Sequence, residues 1–170
     1  MGYNLRMSET VTTTGDQLTN ALHTLGVPFI MGGQTNEESL YTQPSRLLAA
    51  LAESNEARLR LSLIPLFLEH PEFAVYVRAV GRSLTPSARL TLQCYYCAAV
   101  WLGQKHQPGK PSLPDHFSRE LGVQVTDDPE TNLKSLAQRH QELSAAKINW
   151  LGTYLHAAQI WQKGLEIQRG

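Results

Sequence analysis

The sequence predicts an all-α protein, a single-domain bundle of six to eight helices, and three observations lead there. Between Leu47 and Trp101 an apolar residue recurs at nearly every third or fourth position, the spacing of a helix face. Proline followed by a polar residue restarts that pattern at Pro71-Glu72, Pro86-Ser87, Pro114-Asp115 and Pro129-Glu130. Proline is tolerated in the first helical turn, where its missing N–H would have no intrahelical partner, and a carboxylate just behind it suits the positive end of the helix dipole. Strand-like patterning is confined to two short runs, Val27 to Met31 and Val123 to Val125. A chain of 170 residues makes one ordinary domain and can bury a core without metal or disulfide support. The Leu47 to Val80 region has the look of HEAT-like helix pairs, although no repeat of fixed period runs through the chain.

Taken in order, residues 1–14 are polar and Thr-rich and read as a flexible N-terminal tail, leaving residues 15–170 as one helical domain with an irregular start. Met7 offers a second possible start after Met1. Asp16 to Leu25 predicts a short helix ended by Gly26, followed by the apolar run to Met31, Gly32-Gly33 and a polar connection, Gln34 to Gln43. Pro44 to Glu53 forms the next helix, with Leu47, Leu48 and Leu51 on one side. Ser54 is the expected N-cap of a helix through Leu68 on which Arg58, Ser62, Pro65 and Glu69 make a narrow polar strip. Such a helix is interior, and Pro65 kinks or shortens it.

His70-Pro71 opens a helix expected to stop at Gly81, and Thr85-Pro86 caps a long one to about Gln104, the candidate central helix. A Pro/Gly-rich loop, Gln107 to Pro114, is the strongest punctuation in the chain. A short helix from Pro114 to Leu121 ends at Gly122, and Asp128 caps another running to about Leu143. The last helix, roughly Lys147 to Gln168, puts Trp150, Leu151, Tyr154, Leu155, Ala158 and Trp161 on one half, with Asn149, Thr153, His156 and Lys163 opposite.

Fifteen basic and fifteen acidic side chains cancel to zero net charge, so the chain lacks the long-range field that gathers nucleic acid or anionic membranes. The uncharged run Leu90 to Gln104 is too short to cross a bilayer, and the N-terminus carries no signal-peptide pattern. With two cysteines and no export signal, the expected location is the cytoplasm.

Each chemical constellation has a structural explanation. Cys94 and Cys97 form a C-x-x-C, but they fall two turns inside a helix, away from the N-terminus that would lower a thiol pKa, and no second ligand pair with zinc spacing accompanies them. Buried, reduced, metal-free thiols are expected. None of the histidines His23, His70, His106, His116, His140 and His156 falls in a helical metal-binding pattern. Glu69-His70-Pro71-Glu72 resembles acid–base machinery but sits where one helix hands over to the next, a capping position, and Asp127-Asp128 reads as loop and cap. Gly32-Gly33 is too short to cradle phosphate. A helix-turn-helix drawn through Leu59 to Val80 would offer only Arg78 and Arg82 to DNA. No catalytic, cofactor or metal residue is therefore assigned. The candidate interaction residues are Arg60, which projects among apolar neighbours four positions after Glu56, and the adjacent Tyr95 and Tyr96, which point about 100° apart so that one is expected to face outward.

Three stretches, SRLLAALAESNEARLRLSLIPLFLEHPEFA, YYCAAVWLGQ and INWLGTYLHAAQ, resemble uncharacterised bacterial all-helical proteins associated with genes for small nucleotidyltransferases. The resemblance implies a role as an accessory or antitoxin-like partner. LGVPFIMGG is similar to the opening of a nucleotidyltransferase domain, but the D-x-D carboxylates that should follow are absent, as is the R-x4–6-H signature of HEPN-type ribonucleases, so neither activity carries over. The leading expectation is a non-catalytic protein-interaction or regulatory subunit whose partner is another protein chain, its own copy or a different one, with no membrane and no cofactor. A nucleic-acid-associated regulator and an enzyme with a dispersed site are the alternatives.

Overall fold

The computed structural model describes residues 15–26 and 42–169, with side chains described as far as Glu166. The expected tail, the Val27 to Met31 run, Gly32-Gly33 and most of the Gln34 to Gln43 connection lie outside the described residues. What is described is all-α: α1 (Gly15–Thr24), α2 (Pro44–Glu53), α3 (Ala57–Leu61), α4 (Leu63–Glu69), a 3-10 helix (Pro71–Tyr76), α5 (Val77–Ser83), α6 (Pro86–His106), α7 (Ser118–Leu121), α8 (Pro129–Ser144) and α9 (Trp150–Arg169). No strand occurs among the described residues, Val123 to Val125 included, because Val123 caps α7 by donating to Ser118 O while Val125 faces solvent.

The axis of the bundle is α6, which packs against α2, α4, α5, α8 and α9. From Cys94 to Leu102 every residue of α6 is buried, so the helix needs no polar face, as its sequence indicated. Thr85 caps its start by accepting from Ala88 N, and Asp128 does the same for α8 from Thr131 N. The apolar residues of α3, α4 and α6 go almost entirely into this one core. None of the exposed large apolar side chains belongs to α3, α4 or α6.

The helix that Pro65 is expected to kink or shorten is interrupted, and three local expectations are corrected. The Leu59 to Leu68 helix is broken at Ser62, ahead of Pro65, which has no N–H to return to Leu61 O; Ser62 instead donates its hydroxyl to Leu59 O. Gly81 does not end α5 but lies buried within it, its carbonyl accepting from Arg89 Nε at 2.7 Å. Pro114 does not start α7; Asp115 holds a turn there by accepting from Phe117 N, Ser118 N and Ser118 Oγ. On α9 the fully buried positions are Tyr154, Ala157, Ala158 and Trp161, while Leu151 and Leu155 are only half-buried. The termination signals at Gly26 and Gly122 hold: both adopt positive φ, +74° and +76°, a region glycine enters without a Cβ clash.

Candidate functional site

The three candidate interaction residues are all drawn inward. Tyr95 and Tyr96 are 5% and 0% exposed, so neither of the adjacent tyrosines faces outward, because α6 is buried on all sides. Arg60 is half-buried and turns back on its own loop, Nη1 donating to Ser54 O at 2.8 Å. Glu56, its expected partner, pairs with Arg58 at 3.1 Å instead. The hydrogen bonds of Arg60 and Tyr96, to Ser54 O and Pro114 O, lie within the chain.

Around Tyr95 lies a closed aromatic cluster. His140 stacks on Trp150 with ring centroids 3.6 Å apart and shares a 2.7 Å hydrogen bond, Nδ1 to Oη, with Tyr154. Tyr95 meets His140, Trp150 and Tyr154 edge-on. Burial pushes the titratable groups there toward their neutral forms: His140 is lowered to about 4, Cys94 is raised to about 12, and Tyr95 is pushed up to about 12 with Arg60 working against the rise. Cys97 and Tyr154 are raised by the same desolvation. Both cysteines are free and buried. A nucleophile needs its thiolate and a general base its lone pair within reach of a substrate; these groups have neither. The Trp150 indole N–H has no acceptor among the described residues.

The opposite situation holds where the end of α4, the second half of α6, the Gln107 to Pro114 loop and α9 come together. There a cleft of about 700 Å³ opens, continuous through Gln107, Lys110 and Leu165 with a second lobe of about 560 Å³. Phe67, Leu68, Ala99, Gly103, Leu113 and Leu165 give it an apolar lining, and Glu69, Glu72, Lys110 and Ser112 bring polar groups to its walls. His106, Gln162 and Glu166 line the second lobe.

Specific ties hold these walls in place. Tyr96 Oη donates to Pro114 O at 2.6 Å and so pins the far end of the loop to α6, while its ring packs edge-on against Phe67 at 4.9 Å. Trp161 Nε1 donates to Glu69 Oε1 at 2.6 Å, joining α9 to the end of α4. Gln162 donates to His106 Nδ1 at 3.0 Å, and partial burial with the adjacent Lys105 charge holds that imidazole below its ordinary pKa. His70 lies at the helix junction expected of a capping residue, its N–H bonded to Leu66 O. Its two ring nitrogens face acceptors, Leu25 O at 2.7 Å and Glu72 Oε2 at 3.0 Å. Partial burial works to raise the Glu72 carboxyl, but the His70 hydrogen bond and charge outweigh it and hold that carboxyl below the usual range.

Sequence reading placed Glu69 on a polar strip and saw the loop as punctuation, but missed that they face each other across a cleft. Trp161 and Glu69 are 92 positions apart, and no local pattern relates residues at that separation. The loop was the one available signal: eight residues rich in Pro and Gly leave the end of the central helix uncovered by another helix. Of the two arginines that a helix-turn-helix would offer to DNA, Arg78 donates to His116 O and pairs with Glu120, while Arg82 is exposed. No helix among the described residues is long and apolar enough to cross a membrane. Comparison with family models, with curated proteins and with solved structures finds no match.

Proposed function

We propose that this chain is a protein-interaction subunit that works by docking a segment of another protein chain in the cleft beside α9, and not by turnover. The observation that carries the reading is the cleft itself: about 700 Å³ of open space at the end of the bundle, lined by apolar side chains together with Glu69, Glu72, Lys110 and Ser112. Concave apolar surface with a few polar groups at its edge is where proteins take up side chains of a partner or a ligand. The groups with most chemical potential, Cys94, Cys97, His140 and Tyr154, are buried away from that space and neutral. Of the exposed large apolar side chains, Val75, Tyr76, Val125, Leu143 and Ile148, Ile148 lines a smaller recess of about 310 Å³ and none lines the 700 Å³ cleft. The resemblance of the helical stretches to proteins associated with nucleotidyltransferase genes supports an accessory or antitoxin-like partner of such an enzyme as the first to test.

Capture from native host lysate by the tagged full chain tests the reading when run beside Gly103→Leu. Gly103 lines the cleft, and a Cβ there meets only the flexible Leu68 Cδ2, at 3.4 Å. A leucine at this position fills the floor while improving helix propensity by about 1 kcal/mol. A stoichiometric partner lost in Gly103→Leu and kept in Val75→Ser supports the proposal. A partner retained by Gly103→Leu moves the interface elsewhere, and measurable turnover of a small molecule in the cleft returns the enzyme reading.

A further inference from the structure

We infer that the docked segment carries a basic side chain, lysine or arginine, set among apolar residues, and that Glu69 receives its charge. The inference rests on the docking reading above and gives it a chemistry. Glu69 is half-buried at the wall of the cleft, and its carboxylate has one neutral donor, the Trp161 indole at 2.6 Å. Among the described residues no cation lies within 4.0 Å of it, whereas Glu72, the other carboxylate lining the first lobe, is paired with His70. A carboxylate at a cleft wall with no counter-charge beside it offers an incoming cation a charge-assisted hydrogen bond.

The surroundings fit such a side chain along its length. Leu68, Leu113 and Leu165 border the same space, suited to the methylene stem of a lysine or arginine whose charged head reaches the wall. Glu72 adds a second carboxylate to the wall, held ionised by its His70 bond. The cation lining both lobes is Lys110, on the exposed loop and outside the ion pairs of the described residues. It therefore meets an acidic or carbonyl group of the segment, so that the segment is oriented with its base toward α4 and its acceptor toward the loop.

The test uses the full chain, isotope-labelled so that the Trp161 indole N–H reports on Glu69, with assignment by Trp161→Phe. Three blocked pentapeptides serve as probes: four leucines around a central lysine, norleucine or glutamate. The lysine peptide is expected to shift the Trp161 signal and to bind about tenfold more tightly than the norleucine peptide, a ratio of about 1.4 kcal/mol, with the glutamate peptide weakest. Glu69→Gln keeps an acceptor for the indole and removes the charge. In that variant the ratio of lysine to norleucine peptide affinity should fall to about twofold or less. Equal binding of lysine and norleucine peptides to the unmodified chain overturns the charge assignment while leaving apolar docking in place. A lysine preference that appears only in Lys110→Met overturns it by giving Glu69 to Lys110. No shift at Trp161 with any probe also overturns it, and the Gly103→Leu capture then decides the docking reading separately.

Discussion

Two regions of this bundle bring titratable side chains together and differ in both the residues they use and what surrounds them. In the closed cluster, Tyr95, His140, Trp150 and Tyr154 pack on one another beside Cys94, and every titratable group is driven neutral by burial. At the cleft, Glu69, Glu72 and Lys110 stand at the edge of about 700 Å³ of open space, His106 lines the second lobe, and Glu69 has no counter-charge within 4.0 Å among the described residues. A cysteine pair, a histidine and tyrosines would ordinarily draw the eye first. Here they stiffen the core, and the chemistry open to a partner belongs to commonplace residues at the end of the helices. Desolvation and access, more than residue type, separate the two.

The largest effect expected from breaking this contrast is on stability. Tyr154→Ala removes a fully buried ring and its bond to His140, and should lower the unfolding free energy in urea by about 3–5 kcal/mol. Leu165→Ala, half-buried at the cleft, should lower it by about 1 kcal/mol and yet impair docking. Comparable losses in the two variants would mean that the cleft wall is as much part of the core as the cluster.

Next in size is a pH effect confined to the cluster. His140 is lowered from 6.5 to about 4 in the folded chain, so between those values the unfolded chain binds the extra proton. Stability is then fully present above about pH 6.5 and falls as the pH drops through about 4, by about 3 kcal/mol in all. His140→Gln should flatten that part of the profile. An unchanged slope in the variant would place the acid sensitivity elsewhere.

The smallest change sharpens the same line. Desolvation raises both thiols, so Cys94 and Cys97 should react with a thiol reagent only as fast as the chain unfolds, at a rate urea accelerates. Fast modification of the native protein would open the cluster to solvent and erase its difference from the cleft.

Much of the architecture could be read from sequence because it follows from local rules. Pro44, Pro86 and Pro129 each begin a helix, Thr85 and Asp128 each cap one, and Gly26 and Gly122 adopt the left-handed conformation that ends one. Errors arose where two local signals competed. Gly81 yielded to helical packing that buries it, and Pro114 to the turn held by Asp115. The tyrosine pair was misread because a helical wheel assumes an outer side, and α6 has none between Cys94 and Leu102. The cleft was out of reach for a different reason: it is made by Glu69, Tyr96, Pro114 and Trp161, whose meeting depends on how whole helices pack.

The account's central claim is that the cleft, and not the closed cluster or the scattered exposed apolar residues, is the working surface. Hydrogen exchange of the full chain with and without its captured partner tests this most directly. New protection should concentrate at Leu66 to His70, Gln104 to Pro114 and Trp161 to Glu166, the segments that wall the two lobes, with Val75-Tyr76 and Ile148 unchanged. Protection centred on Val75-Tyr76 or Ile148, with the loop and the end of α9 exchanging as before, would contradict it.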